Sequence, residues 1–142
     1  MDNDYIIINQ SFFNRFKNKF LLSSFNSSSK LFLESDQWHD LEEAEDGNVF
    51  RWSQPLSKIK FENVNGIVVN FSCPIGREIH IYNNRINETL NLIPNKLYKV
   101  LINVSGTQEL CFETEAYVPE QDTRELGVCF NKISEHAVLS CI

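Results

Sequence analysis

Residues 49–53 combine a cation with aromatic rings, the side-chain types that pair ions or stack against a ligand. The stretch places Arg51 between two rings and follows an acidic segment, residues 34–46, that holds seven carboxylates and no Lys or Arg. A buried guanidinium without a partner costs on the order of several kcal/mol, so an Arg51 covered by Trp52 requires a carboxylate partner. The functional alternative uses Trp52 or Trp38 as a platform for a ligand ring.

Residues 122–130 form a second stretch in which charge precedes a strand-like run. Arg124 has Asp122 and Glu125 close in sequence, which predicts a charge pair that fixes this loop to a sheet. Gly127 stands at the start of the strand-like run, where a glycine permits a bulge or the close approach of another backbone. The sequence therefore predicts a structural role for this segment.

No motif of a known catalytic chemistry is visible. The sequence lacks a nucleophile elbow, a phosphate-binding glycine loop and the HExxH motif. His39, His80 and His136 are isolated, and His80 lies between Ile79 and Ile81, so it is expected on the strand face opposite to its apolar neighbours. The acidic segment has the oxygen ligands that Ca²⁺ prefers but not the spacing of a calcium loop. We therefore predict no catalytic residue, no metal site and no cofactor.

The composition is that of one globular domain. A chain of 142 residues, 42% of them hydrophobic, can bury one core, and eleven Phe with four Tyr favour strands. The net charge of −6 argues against a nucleic-acid partner. No secretory signal or membrane span is visible, which predicts a cytoplasmic protein. Four cysteines form no CxxC pair and are predicted to be reduced, with Cys111 and Cys129 buried in apolar runs.

The first thirty residues differ from the rest of the chain. Four Phe residues recur at helical spacing between residues 10 and 22, with Ser11 as a potential cap and basic residues beside the aromatic face. This pattern predicts a short amphipathic helix that packs on the domain, or alternatively contacts an anionic membrane surface. The serine-rich residues 23–29 are typical of a linker. We therefore predict an N-terminal segment over 1–30 and a domain over 31–142.

Short runs with apolar residues at period two fill the rest of the chain. Turn residues such as Asn65-Gly66, Pro94-Asn95 and Ser105-Gly106 separate them at roughly ten-residue spacing, which is typical of an antiparallel sandwich. The predicted fold is an all-β, jelly-roll-like sandwich with a short N-terminal helix or extension. The predicted core residues are Val69, Phe71, Ile79, Ile81, Val100, Ile102, Val104, Val128 and Phe130.

Three motifs and a closing residue lie within residues 31 to 133: Trp38-His39-Asp40-Leu41-Glu42, Phe50-Arg51-Trp52-Ser53, Asp122-Thr123-Arg124-Glu125-Leu126-Gly127-Val128 and Ile133. With these motifs, this part of the chain resembles a β-sandwich accessory domain of bacterial surface-polysaccharide synthesis. That family reads as aromatic-x-x-x-Glu, then Arg-Trp, and finally Asp-x-Arg-x-Leu-Gly, and it accompanies glycosyltransferase or methyltransferase modules. In this sequence Glu42, Glu43 and Glu45 can each correspond to the single Glu of the family pattern, which leaves the carboxylate partner of Arg51 or Arg124 open.

The resemblance implies a non-catalytic, carbohydrate-binding-like module. Such a module recognises a surface polysaccharide or its precursor, or supports a glycosyltransferase or methyltransferase that builds one. The alternatives are a structural or dimerising domain with both tryptophans buried, and a small esterase or lyase that uses His39 or His80. Sugar binding needs an exposed ring with polar groups beside it. The candidate ligand-binding residues are Trp38, Glu43, Glu45, Arg51, Trp52, Asp122 and Arg124.

Overall fold

The computed structural model describes residues 6–8, 20–22 and 31–138 of the chain. Within these ranges the secondary structure consists of β-strands without any helix, which confirms the all-β prediction. In chain order the strands are β1 (Ile6–Ile8), β2 (Phe20–Leu22), β3 (Leu31–Leu33), β4 (Glu42–Glu43), β5 (Val49–Trp52), β6 (Leu56–Phe61), β7 (Gly66–Ser72), β8 (Arg77–Tyr82), β9 (Asn87–Leu92), β10 (Tyr98–Asn103), β11 (Glu109–Glu113) and β12 (Cys129–Val138).

Five strands form an antiparallel sheet, the small sheet, in the order β3-β6-β11-β8-β9. Its register is well defined: Glu113 lies opposite Leu56 of β6 and His80 of β8, and His80 lies opposite Thr89 of β9. Because successive side chains of a strand point to opposite faces, the buried Phe112 and the exposed Glu113 lie on different sides of this sheet.

The other seven strands form the large sheet, in the order β1-β10-β7-β12-β5-β4, with β2 paired to β12 beside this path. β1 runs parallel to β10, whereas the remaining pairs are antiparallel. The long strand β12 pairs with β7 along most of its length, and its register shifts between Phe130 and Lys132. Residues 129–130 of β12 also pair with β5, and residues 136–138 pair with β2.

The hydrophobic core lies between the two sheets. Phe112 of the small sheet and Phe130 of the large sheet pack edge to face, with ring centroids 5.3 Å apart. Phe130 also packs against Phe71, its neighbour within the large sheet, at 5.4 Å. All nine residues predicted for the core are buried, so the period-two pattern identified the inward faces correctly.

The chain crosses repeatedly from one sheet to the other. β5, β7, β10 and β12 belong to the large sheet, whereas β6, β8, β9 and β11 belong to the small sheet. Consecutive strands from β5 onward therefore lie in opposite sheets at every connection except the hairpin from β8 to β9. This arrangement confirms the predicted jelly-roll-like sandwich.

The structure describes residues 20–22 of the predicted N-terminal helix, and these three residues are not helical. Residues 20–22, its last part, form strand β2 and pair with β12, because an apolar run of this length can add to a sheet edge as well as form a helix turn. Residues 10–19, the rest of that prediction, and the predicted linker over 23–29 lie outside the described residues. Both β1 and β2 precede residue 31 yet pair with strands of the large sheet.

Three of the four cysteines fall within the described residues, and all three are free thiols. Cys73 and Cys111 are buried, as predicted for Cys111, whereas Cys129 is only partly buried. Burial raises the pKa of the Cys129 thiol to about 12. Across residues 6–8, 20–22 and 31–138, no helix has the length and apolar character needed to span a bilayer.

Candidate functional site

The outer face of the small sheet carries a polar array with two aromatic rings. The strand register aligns its side chains in rows across the sheet. One row reads Lys58, Cys111, Tyr82 and Asn87, and the next reads Leu56, Glu113, His80 and Thr89.

The outer face of the large sheet differs because its central side chains are buried. Val68, Leu101 and Ser134 align on the side opposite to the core residues Val69 and Ile133, and all three are fully or almost fully buried. On the small sheet, by contrast, Glu113 and Thr89 are exposed. The small sheet therefore offers the accessible face within the described part of the sandwich.

His80 and Tyr82 form a stacked ring pair on this face. They lie two residues apart on β8, and their ring centroids are 4.4 Å apart with planes inclined by 26°. Each ring is held by one hydrogen bond: the Tyr82 hydroxyl donates to Glu113 Oε1 at 3.0 Å, and His80 Nε2 lies 2.6 Å from Asn87 Oδ1. An amide oxygen can only accept, so this contact assigns the proton to His80 Nε2.

Tyr82 stays protonated throughout the ordinary pH range. Burial, reinforced by the hydrogen bond to Glu113 and the charge of its carboxylate, raises the pKa of Tyr82 to about 12. The phenol therefore remains a donor to Glu113, and the ring pair keeps its geometry.

An open depression of about 540 Å³, the cleft, lies beside the ring pair. His80 lines it, whereas Tyr82, on which the His80 ring stacks, does not. The other lining residues come from the start of β8 and the residue before it, from β9, and from the end of β11 and the two residues after it. They are Gly76, Arg77, Glu78, Thr89, Glu113, Thr114 and Glu115.

The cation of the cleft is tied to the protein rather than directed outward. Arg77 Nη1 donates to the main-chain oxygen of Gly127 at 3.0 Å, and its guanidinium carbon lies 5.7 Å from the centre of the Tyr117 ring. Thr114 Oγ1 donates to the main-chain oxygen of Glu78 at 2.8 Å. The groups left on the open side are mainly carboxylates and hydroxyls.

Of the two tryptophans in the predicted site, Trp38 belongs to the core. Only 2% of its surface is exposed. Its ring packs edge to face on Phe130 of the large sheet at 5.1 Å, and Nε1 donates to the main-chain oxygen of Lys58 in the small sheet at 3.1 Å. This burial corrects the expectation of a ligand-facing ring at Trp38, because the ring contacts both sheets and is almost completely covered.

Trp52 is half-buried and lies against Tyr117, with ring centroids 6.1 Å apart. Tyr117 in turn contacts Arg77, which lines the cleft, although Trp52 itself does not line it. Trp52 is thus connected to the rim of the cleft through two side chains. Its role as a ligand platform stays a prediction.

Arg51 has a different partner from the one expected. Its Nε donates to the main-chain oxygen of His39 at 2.6 Å, and among the described residues no carboxylate lies within ion-pair distance of it. A carbonyl suffices because Arg51 is only partly buried. Glu43 and Glu45, predicted beside it in the binding set, are exposed at β4 and in the following turn.

Arg124 forms the charge pair predicted for its loop. Its Nε and Nη2 donate to the Asp122 carboxylate at 2.6–3.0 Å, and Nη1 donates to Glu42 Oε2 at 3.2 Å. The partners are Asp122 and an acid of the 34–46 segment, so Arg124 joins these two loops. Neither Asp122 nor Arg124 lines the cleft.

Hydrogen bonds from Arg124 lower the pKa of Asp122 to about 2. The folded-state pKa lies below the ordinary value near 4, so this contact stabilises the fold above about pH 4 and its contribution falls as the pH approaches 2. We expect Arg124→Ala to raise the pKa of Asp122 toward its ordinary value. A carbon-detected NMR titration of the Asp122 carboxyl group measures this shift.

Lys60→Ala is the matched control, since it removes another exposed ion pair, Lys60 with Glu34 at 3.4 Å, and should leave the pKa of Asp122 near 2. An Asp122 pKa that stays near 2 in Arg124→Ala would show that the main-chain amides, and not the guanidinium, hold the carboxylate.

Sequence reasoning placed His80 on the outer face of a strand and gave it a site role only in the enzyme alternative, not among the candidate ligand-binding residues. The period-two spacing of His80 and Tyr82 was the available signal, because residues two apart on a strand share a face. Glu113 lies 31 residues further along the chain than Tyr82, its hydrogen-bond donor. Only the strand pairing brings these side chains together.

No protein-family model and no curated protein matches the chain. Two solved structures of CBM29-2 mutants, from a family 29 carbohydrate-binding module, are similar to it in fold. One has a TM-score of 0.45 and 9% identity over 82% of this chain and 84% of that chain. The other has a TM-score of 0.42 and 8% identity over 82% and 91%. Likeness at this level does not identify a ligand, which has to be inferred from the cleft itself.

Proposed function

We propose that this protein is a non-catalytic carbohydrate-binding module that holds a glycan on the outer face of the small sheet. One observation carries the proposal: His80, whose ring is stacked on Tyr82 and hydrogen-bonded to Asn87, lines an open cleft of about 540 Å³ that is also lined by carboxylates and hydroxyls. Rigid placement of an aromatic ring beside convergent polar groups is the arrangement that binds a small polar ligand.

A sugar ring matches this arrangement on both of its chemical sides. Its C–H face packs on an aromatic ring, where the π-cloud carries partial negative charge, and its hydroxyl groups donate hydrogen bonds to carboxylates. His80 supplies the platform, while Glu113 and Glu78 supply acceptors at the sides of the cleft. The open shape leaves room for a chain that continues beyond one sugar unit.

The identity of the glycan and of the partner proteins rests on the sequence resemblance. It favours a cell-surface polysaccharide or its precursor as the ligand, and a glycosyltransferase or methyltransferase as the associated enzyme. The cytoplasmic location expected from the sequence belongs to the same proposal. Homo-oligomerisation stays a prediction of the scaffold alternative.

We expect His80→Ala to weaken glycan binding by about 1–2 kcal/mol, which corresponds to roughly a 5- to 30-fold increase in Kd. The platform is lost, whereas the core beneath β8 is untouched because Ile79 and Ile81 carry it. Calorimetric titration with the ligands selected on a glycan array measures the change. Thermal unfolding of the same variant should stay close to that of the parent.

His39→Ala is the matched control, since His39 lies outside the cleft and contacts the main-chain oxygen of Glu125 at 3.0 Å. This variant should bind the glycan as the parent does. Equal losses in both variants, or a parent that binds no glycan, would favour the structural alternative. That alternative expects both tryptophans to be buried, and Trp38 is buried whereas Trp52 is half-buried.

The enzyme alternative has one observation in its favour, namely that His80 and Glu113 lie opposite each other and share the cleft. Its test is the appearance of a cleaved product during the same titrations. Intact glycan after prolonged incubation excludes hydrolysis and leaves the binding module.

A further inference from the structure

We infer that the cleft selects an amine-bearing glycan and rejects sugars that carry acidic groups. The inference rests on the proposed function and specifies the ligand class for that site. The His80 platform and the cleft define where the sugar lies, and the surrounding charges decide which sugar is accepted.

The charge in the cleft is strongly unbalanced. Glu78, Glu113 and Glu115 are exposed carboxylates that line it, against the one guanidinium of Arg77. Arg77 is directed toward Gly127 and the Tyr117 ring. An acidic sugar in the cleft would thus face several like charges, and a cationic group would be attracted by them.

The lysines on the same sheet face do not neutralise this charge. Lys58 Nζ lies 3.6 Å from Glu109, and Lys60 Nζ lies 3.4 Å from Glu34. Each lysine is therefore paired with a carboxylate of its own, and neither lines the cleft. The negative potential of the cleft is left in place.

The hydrogen-bonding groups of the cleft also favour an amine-bearing ligand. Ionised carboxylates can only accept hydrogen bonds, and the Thr114 hydroxyl already donates its proton to the main-chain oxygen of Glu78. Such a site is satisfied by ligand donors, namely hydroxyl and ammonium groups. An ammonium group supplies three donors together with a positive charge.

The test compares three oligosaccharides of equal length by calorimetry: one of glucosamine, its N-acetylated form and one of a uronic acid. We expect the glucosamine oligomer to bind about 10-fold more tightly than the N-acetylated form, since each exposed carboxylate contributes roughly 2- to 5-fold. The uronic acid oligomer should show no binding. The preference for the amine should shrink as salt is raised from about 0.05 to 0.5 M.

Glu115→Gln, at an exposed carboxylate of the cleft that is not one of the proposed sugar acceptors, should reduce the preference for the amine by roughly 2- to 5-fold while leaving binding of the N-acetylated form unchanged. Glu45→Gln is the matched control: it removes the same charge from an exposed position outside the cleft and should keep the parental preference.

Two kinds of outcome separate this inference from the proposed function. Equal binding of the amine and the N-acetylated form, or tight binding of the uronic acid, overturns the charge selectivity while a glycan site remains. Failure of all three oligosaccharides and of a glycan array to bind the parent contradicts the proposed function and the inference with it.

Discussion

Replacing Trp38 by alanine is expected to lower the free energy of unfolding by about 3–5 kcal/mol, the usual loss when a large aromatic side chain is removed from a core. The ring is 2% exposed and touches both sheets, through Phe130 on one side and the main-chain oxygen of Lys58 on the other. Its removal leaves a cavity and a buried carbonyl without its donor. Urea unfolding followed by circular dichroism measures the change.

Trp52→Ala is the matched control because Trp52 is half-buried and its ring packs against Tyr117. Its cost should be about 1–2 kcal/mol, in proportion to the smaller area that it buries. Trp38→Phe separates the two contributions at the first position, since it keeps most of the packing and loses the indole donor. Equal costs for Trp38→Ala and Trp52→Ala would contradict the bridging role of Trp38.

Fluorescence provides an independent check. Trp52→Phe leaves Trp38 as the sole tryptophan, and its emission should resist acrylamide because the ring is buried. Trp38→Phe leaves Trp52, which should be quenched more readily. The two single-tryptophan variants thereby report the exposure on which the choice between a ligand platform and a core residue depends.

The strands and the core of this protein could be predicted because they depend on local pattern. Alternation along Leu56–Phe61 and Arg77–Tyr82 shows which side chains share a face, and the apolar set faces the core. The predicted core residues Ile79 and Ile81 are accordingly buried. The turn residues between the runs separate consecutive strands.

The candidate site could not be predicted in the same way because it depends on which strands become neighbours. Glu113 joins His80 only because β11 pairs with β8, and this pairing links distant parts of the chain. The burial of Trp38 likewise depends on Lys58, 20 residues later. Residue type alone predicted Trp38 and Arg51 as site residues. The order of the strands, however, determines which side chains lie together on the outer face of the small sheet.

The prediction at Gly127 is the one in which sequence and structure agree most closely. A close backbone approach was expected there, and a β-carbon built on Gly127 would collide with Ser53 Oγ and lie 2.5 Å from the main-chain oxygen of Gln54. Residues 53–54 and 127–128 thus form a close backbone contact, the junction. Main-chain hydrogen bonds also hold it: Gly127 N donates to Ser53 O at 2.7 Å, and Ser53 N donates to Val128 O at 3.0 Å. A main-chain oxygen cannot rotate away as a side chain can.

We therefore expect Gly127→Ala to cost about 3 kcal/mol, the upper part of the usual range for overpacking, and to lower Tm by roughly 10 °C. Gly76→Ala is the matched control, because the nearest atoms to its β-carbon would lie at ordinary contact distances of 3.6–3.8 Å. Its effect should be neutral or slightly stabilising. Differential scanning calorimetry of both variants gives the comparison.

The Gly127→Ala substitution should also change the position of a side chain that lines the cleft. The oxygen of Gly127 accepts the hydrogen bond from Arg77 Nη1, so a backbone shift at this junction moves the anchor of a cleft-lining side chain. Glycan affinity should consequently fall at temperatures where the variant is still folded. A Gly127→Ala protein with parental Tm would show that the junction yields without strain. Parental affinity despite a lowered Tm would mean that Arg77 keeps its place by its contact with Tyr117 alone.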